Sequence, residues 1–438
     1  MSPRKGASMR RSVSMTLAAA LLATPLVLIT PSPVVAGDKT NGPTPVTLTR
    51  WTSDADFQRG EREGLAVQDG SLALDGTASL PSTTYTDPFE AGTARSYDVG
   101  TWTSSVVEVD YPIDQAISSW NAITPTGTWV ETSFRGRYLD GTWSKWYVLG
   151  RWTSGMQYPT DIHRTSLNGQ GDTDGTVLTD TFASRKKRKP VAFQTRVALL
   201  RPTGTTATPR LEAVTTMSSA AYPEKLKSIS EFTLGEQVEL AVPPYAQNTH
   251  SGEFPDFGGG GEVWCSPTSS AMVMAYFGAS PGDAELASIP YDDPQVDHAA
   301  LHVWDFAYDG AGNWPFNAAY AHTYGLDSFV TRLRSLAEVE LFVEAGIPVV
   351  VSLSWKLGDM PEAGYETNGH LLVIVGFTGE GDPILNDPAS SSNDNVRSIY
   401  TRENFEKVWQ ESTGGVAYVY HPHGTPLPAI LPGVTPNW

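Results

Sequence analysis

From about residue 48 to 217, apolar and polar positions alternate in short runs, the period of a half-buried strand. The clearest runs are 104–111, 128–136, 145–152, 191–201 and 210–217, with turn pairs such as Asp140-Gly141 and Asn168-Gly169 between them. No long helical pattern interrupts them, and a β-sandwich is the predicted architecture. Beyond Val242 the pattern changes. Residues 266–277, with Gly278 as a stop, 317–324 and 336–345 read as helices. Residues 348–354, 371–377, 383–386 and 415–420 read as strands. Helices followed by an antiparallel sheet predict an α+β second domain.

At 438 residues the chain exceeds what one core usually supports. The expected division is an export signal over 1–36, a Thr/Pro-rich flexible lead over 37–47, the sandwich over 48–220, a linker over 221–241, the second domain over 242–422 and a Pro-rich tail over 423–438. The signal rests on Arg4, Lys5, Arg10 and Arg11, on an apolar run too short for a comfortable span, and on Val34 and Ala36 before Gly37. It predicts a secreted, extracellular protein that leaves the membrane once cleaved. Arg10-Arg11 keeps twin-arginine export open beside the general route.

The net charge of −18 becomes more negative when that segment is removed, which argues against a nucleic-acid partner. The basic run 185–189 reads as a solvated loop or hairpin tip in preference to a site for an anionic polymer. Trp102, Trp120, Trp129, Trp143, Trp146 and Trp152 crowd the first region. Core packing is the favoured reading, and a sugar-stacking face that would bind polysaccharide is the rival.

Cys265 is the single cysteine. It opens a predicted buried helix with Pro267 in its first turn, where unpaired amides and the helix dipole favour a thiolate. Among the eight histidines, His370 starts the apolar strand 371–377 and is followed, across the turn at Thr378-Gly379-Glu380-Gly381, by Asn386-Asp387-Pro388. If Phe377 pairs near Asp382, Asp387 falls opposite Leu372 and shares a face with His370, one diagonal step away. A one-residue slip would break that inference. Two other constellations are read as ordinary polar surface. His298 and His302 have zinc-compatible spacing without an obvious third ligand, and Asp292, Asp293, Asp297, Asp305 and Asp309 lack the order of a calcium loop. No metal and no cofactor are expected. Trp264 and Trp355 are candidate walls of a substrate cleft.

The second domain resembles family 39 of the cysteine peptidases, the papain-like group that includes the bacteriocin-leader-processing enzymes. The matching segments are Cys-Ser-Pro-Thr-Ser-Ser-Ala-Met-Val-Met from Cys265, Gly-Ile-Pro-Val-Val-Val-Ser from Gly346, Gly-His-Leu-Leu-Val-Ile-Val-Gly-Phe from Gly369, and Asn-Asp-Pro from Asn386. The first half resembles the sandwich that precedes this domain in secreted actinobacterial proteins. The resemblance implies a papain-like fold and a catalytic triad of Cys265, His370 and Asp387. The family's oxyanion-hole Gln usually lies a few residues before the cysteine. Here the nearest is Gln247, much further upstream in Val-Pro-Pro-Tyr-Ala-Gln, so backbone amides are the alternative donors. Nothing resembles the exporters of the leader-processing members, so their specificity is not carried over.

The expected activity is amide-bond hydrolysis by a monomeric secreted enzyme acting on extracellular protein, peptide or cell-wall peptide. A cell-wall amidase or acyl transferase on the same triad, and a non-catalytic glycan-binding protein, are the alternatives.

Overall fold

The computed structural model describes residues 44–77, 79–92, 94–220 and 225–438. The expected signal segment and most of the lead lie outside the described residues. Every strand pairing in them is antiparallel.

The first half is a two-sheet sandwich. One sheet runs Gly175–Leu178, Thr181–Ser184, Gln115–Ile123, Arg210–Ser219, Ser71–Leu74, Leu65–Gln68, with Val46–Trp51 also on Arg210–Ser219. The other runs Tyr147–Trp152, Trp129–Arg137, Ala192–Pro202, Arg95–Thr103, Glu61–Glu63. Phe134, Phe182, Phe193 and Tyr147 stack between them. Trp102, Trp120, Trp129 and Trp152 are buried, as core packing requires. Trp143 and Trp146 are half-buried, and the Arg135 guanidinium sits over both, 4.4 and 4.5 Å from the ring centroids. The basic run is a hairpin tip, bridged at Arg185 and Arg188, with Arg188 paired to Asp140 and Asp174.

Two expectations change here. Of 104–111, only Val107–Glu108 is a strand. The central strand Gln115–Ile123 escapes the alternation test because it is buried on both faces. Its outer face meets the second half of the chain: Asn121 Nδ2 donates to the Ser328 carbonyl and hydroxyl at 3.0 and 2.7 Å, and the Val330 N–H donates to Ser119 Oγ at 3.0 Å.

The second half carries the sheet Leu326–Arg332, Val416–Pro422, Val349–Trp355, Thr367–Phe377, Pro383–Asn386, Arg397–Ile399. The helices Cys265–Tyr276, Pro294–Val303 and Trp314–Thr323 precede most of it in sequence. The helices Pro294–Val303 and Arg402–Thr413 and the strand Leu326–Arg332 are additions to the sequence reading.

The described residues form one compact unit. Phe316 of the second half packs on Trp120 and Trp152 of the sandwich. Arg164 is fully buried and donates to the carbonyls of Thr153, Gly155 and Leu301. The stretch expected as a linker is strapped down: Ser230 and Thr233 bond to Glu406 and Glu340, and Val238–Glu239 pairs with Thr367–Phe377. The Pro-rich tail also docks, with Asn437 fully buried and donating to Arg332 O and Glu338 Oε2.

Candidate active site

The helix Cys265–Tyr276 is buried along its first ten residues, so it has no polar stripe and sits inside the domain. Its serines bond outward to neighbouring elements. Ser266 Oγ meets Tyr418 Oη at 3.2 Å, Ser270 Oγ meets Tyr420 Oη at 3.0 Å, and Ser269 Oγ donates to the Leu371 carbonyl at 3.1 Å. The last bond ties the helix to the strand residue beside His370. Cys265, 8% exposed, is the first helical residue, where amide N–H groups lack intrahelical acceptors.

His370 lies in the strand Thr367–Phe377 and is buried. The hairpin differs from the expected one at its tip, because Phe377 pairs with Pro383 rather than Asp382. A bulge between Ile374 and Gly376 then shifts the register by one, so that Val373 pairs with Asn386. Asp387 is thereby carried beside His370 after all. His370 Nε2 lies 2.8 Å from Asp387 Oδ1.

Asp387 is saturated. Oδ1 also accepts the Ala389 N–H at 2.9 Å, and Oδ2 accepts hydroxyls from Tyr365 at 2.9 Å and Tyr400 at 2.6 Å. Burial opposes its ionisation, but His370 and these donors hold the carboxyl down at about 2. Burial likewise opposes a charged His370. The Asp387 charge and hydrogen bond, followed by the influence of Cys265, outweigh it and raise the imidazole to about 10. Since Nε2 is committed to Asp387, Nδ1 is the nitrogen left for the thiol. Burial and then Asp387 push the Tyr365 and Tyr400 hydroxyls up, so both remain donors. Neither tyrosine was found by sequence reasoning, since they lie on separate segments with no spacing relation to Asp387.

The remaining candidates fare differently. Gln247 is buried beside the Asp387 turn, its N–H donating to the Pro388 carbonyl at 2.8 Å, and its Oε1 has no hydrogen-bond partner. The neighbouring Asn248 donates to Ala389 O. Trp264 is not a cleft wall. Its ring is fully buried, with Nε1 donating to Phe257 O at 2.9 Å, and a buried ring has no face to offer a substrate. Trp355 is buried too, but it meets the His370 ring edge-on at 5.8 Å and donates to Tyr365 O, so it shields the imidazole. His298 and His302 stack on each other at 3.8 Å, and burial holds both imidazoles below their ordinary range. Asp305 is already satisfied by protein donors, accepting from the Ser166, Ala307 and Tyr308 N–H groups and from Asn313. Among the described residues no helix is long and apolar enough to cross a membrane.

Residues 47–219 match the Peptidase C39 N-terminal domain, and residues 239–417 match the Peptidase_C39 like family. A solved C39-like peptidase from Bacillus anthracis is similar at 20% identity over 43% of this chain and 98% of that one, with a TM-score of 0.28. A structure described as a carbohydrate-binding module of the β-sandwich superfamily is similar at 11% identity over 38% of this chain and 55% of that one, with a TM-score of 0.17. Neither structural likeness is close enough to bear on the site. No curated protein matches the chain. With both halves matched in order, residues 239–417 are a C39-like peptidase domain behind a C39 N-terminal domain, which supports a cysteine-peptidase type of hydrolase.

Proposed function

We propose that the protein hydrolyses amide bonds with Cys265 as nucleophile, His370 as base and Asp387 as the residue that orients and charges the base. The observation that carries this reading is the saturated Asp387, whose 2.8 Å bond to Nε2 leaves the other ring nitrogen for Cys265. The raised imidazole favours a proton held on His370 beside a thiolate.

In this reading the sulfur attacks the substrate carbonyl carbon, and the C=O electron pair moves to oxygen. The Cys265 N–H and the amides of the first helical turn receive that oxyanion, with the Gln247 carboxamide as a side-chain donor. As the intermediate collapses, His370 gives its proton to the leaving amine. A water that loses a proton to His370 then attacks the thioester, releasing the acid and restoring the thiol. Export and an extracellular protein, peptide or wall-peptide substrate are part of the same proposal and rest on the sequence of residues 1–36.

The test uses the single cysteine. Iodoacetamide alkylation of the native protein should stay rapid well below the ordinary thiol pKa of about 8.5 and lose that property in His370→Ala. Cys265→Ala should abolish hydrolysis of a casein or wall-peptide substrate while its circular dichroism is unchanged. Alkylation that follows an ordinary thiol in both proteins would sink the proposal.

A further inference from the structure

A second histidine–carboxylate cluster lies upstream of the nucleophile. His250 ends the turn Gln247–His250, Glu253 follows it, and Asp297 projects from the helix Pro294–Val303. His250 Nδ1 is 2.7 Å from Glu253 Oε2 and 3.3 Å from Asp297 Oδ2. One ligand atom from each residue lies within 4.8 Å of the other two. Asp297 and His250 are buried, at 0 and 1% exposure. Neither Asp297 oxygen meets hydrogen-bond geometry with any donor, and His250 Nε2 also lacks a partner.

That arrangement is costly as a purely protein structure. A buried carboxylate normally collects two or more donors. Two carboxylates against one imidazolium leave a net negative charge, whereas a divalent cation with a neutral imidazole brings the sum to zero. One nitrogen and two carboxylate donors are a set for zinc or a similar first-row cation rather than for calcium. Around tetrahedral zinc, with bonds near 2.0–2.1 Å, such atoms lie about 3.3 Å apart, so the His250–Asp297 separation already fits and the His250–Glu253 contact would have to open.

We propose that His250, Glu253 and Asp297 form a binding site for a divalent first-row cation, with zinc as the best fit and water completing the shell. The site would be a brace. The Gly252 N–H donates to Gly259 O at 2.7 Å, and a Cβ on Gly260 would fall 1.9 Å from His250 O, so the glycine loop lies directly on the His250 backbone. That loop leads through Gly261–Val263 to Cys265. A bound cation would tie the approach to the nucleophile onto the helix Pro294–Val303.

The test is done on full-length Cys265→Ala, so that the thiol cannot take the metal. After dialysis against EDTA, calorimetric titration with zinc chloride should show one site per chain, and zinc should raise the melting temperature. Asp297→Asn and Glu253→Gln should each weaken binding at least tenfold and remove the thermal shift. The two substitutions approach the cluster from different elements, so misfolding of one leaves the other to decide. No zinc binding, binding unchanged in both variants, or a preference for calcium over zinc would overturn the assignment. A cluster that only shares a proton would give Asp297→Asn a higher melting temperature with no metal dependence, which also overturns it.

Discussion

The two histidine–carboxylate clusters use the same chemistry to opposite ends. At Asp387 four donors converge on two oxygens, and the one polar atom left over is the second ring nitrogen of His370. At Asp297 the burial is as deep, but the one ring N–H beside it, 3.3 Å from Oδ2, is shared with Glu253, and neither oxygen meets full hydrogen-bond geometry. A buried charge is tolerated when its partners are all present, and breaking such a set is expensive because the charge stays behind. The first cluster is therefore complete as a protein structure, whereas the second needs something from outside.

Substitution at each carboxylate should separate the two most strongly. Asp387→Ala strips His370 of its partner and should lower kcat/KM by about 10²–10⁴. It should also cost about 3 kcal/mol of stability, read by urea denaturation. Asp387→Asn keeps the shape and an acceptor for Nε2, so it should lose less stability than the alanine. Asp297→Asn in metal-free protein should be neutral or gain about 1 kcal/mol, since it removes one of two carboxylates that share a single imidazole. Equal losses at both positions would erase the contrast.

The pH dependence of stability sharpens the first half of the comparison. His370 rises from 6.5 to about 10 on folding, so its contribution is complete below pH 6.5 and is lost as pH climbs through 10. Asp387 falls from 3.8 to about 2, so its contribution is complete above pH 3.8 and is lost as pH drops through 2. Both act together between pH 3.8 and 6.5. The gap in melting temperature between the native protein and the His370→Ala/Asp387→Ala double variant should be widest in that window. A gap that does not change with pH would mean that the pair is not held as an ion pair.

The tyrosines come next. Tyr400→Phe removes the 2.6 Å donor on Asp387 Oδ2 and should cost about 1.5–3 kcal/mol, with a several-fold fall in kcat. Tyr365→Phe removes the longer 2.9 Å bond and should do less, and urea denaturation of the pair of variants checks the order.

How far the site could be read from the chain follows from what each part depends on. Cys265, His370 and Asp387 stand in contiguous segments with local signals: a helix start, an apolar strand and a tight hairpin. The expected hairpin register was off by one at Phe377, and the bulge near Val375 brought the far end back into line. A bulge of that kind leaves no mark in an alternation pattern. Gln115–Ile123, Cys265–Tyr276 and Trp314–Thr323 are buried on all sides, so periodicity could not define their faces, although the Pro267 and Gly278 punctuation still located the second. Tyr365, Tyr400 and the cluster of His250, Glu253 and Asp297 depend on contacts between distant segments. For Asp297 the sequence showed only an acidic stretch, because burial is what separates it from Asp292 and Asp293.

The smallest effect tests how the thiol is held against the imidazole. Ser269 and Ser266 are both buried in the first turns of the helix, and each makes one bond to a strand of the sheet. Ser269 reaches the carbonyl of Leu371, next to His370, whereas Ser266 reaches the Tyr418 hydroxyl on a different strand. Either alanine substitution should cost about 1 kcal/mol, so stability alone does not distinguish them. Catalysis should. Ser269→Ala loosens the helix against the strand that carries the base, and a small increase in the separation of reacting groups is enough to lower kcat with KM unchanged. A several-fold loss of kcat in Ser269→Ala with little in Ser266→Ala would identify the Leu371 bond as the positioning contact. Equal losses would mean that the apolar packing of Met272, Val273 and Met274 seats the helix and that neither serine sets the geometry.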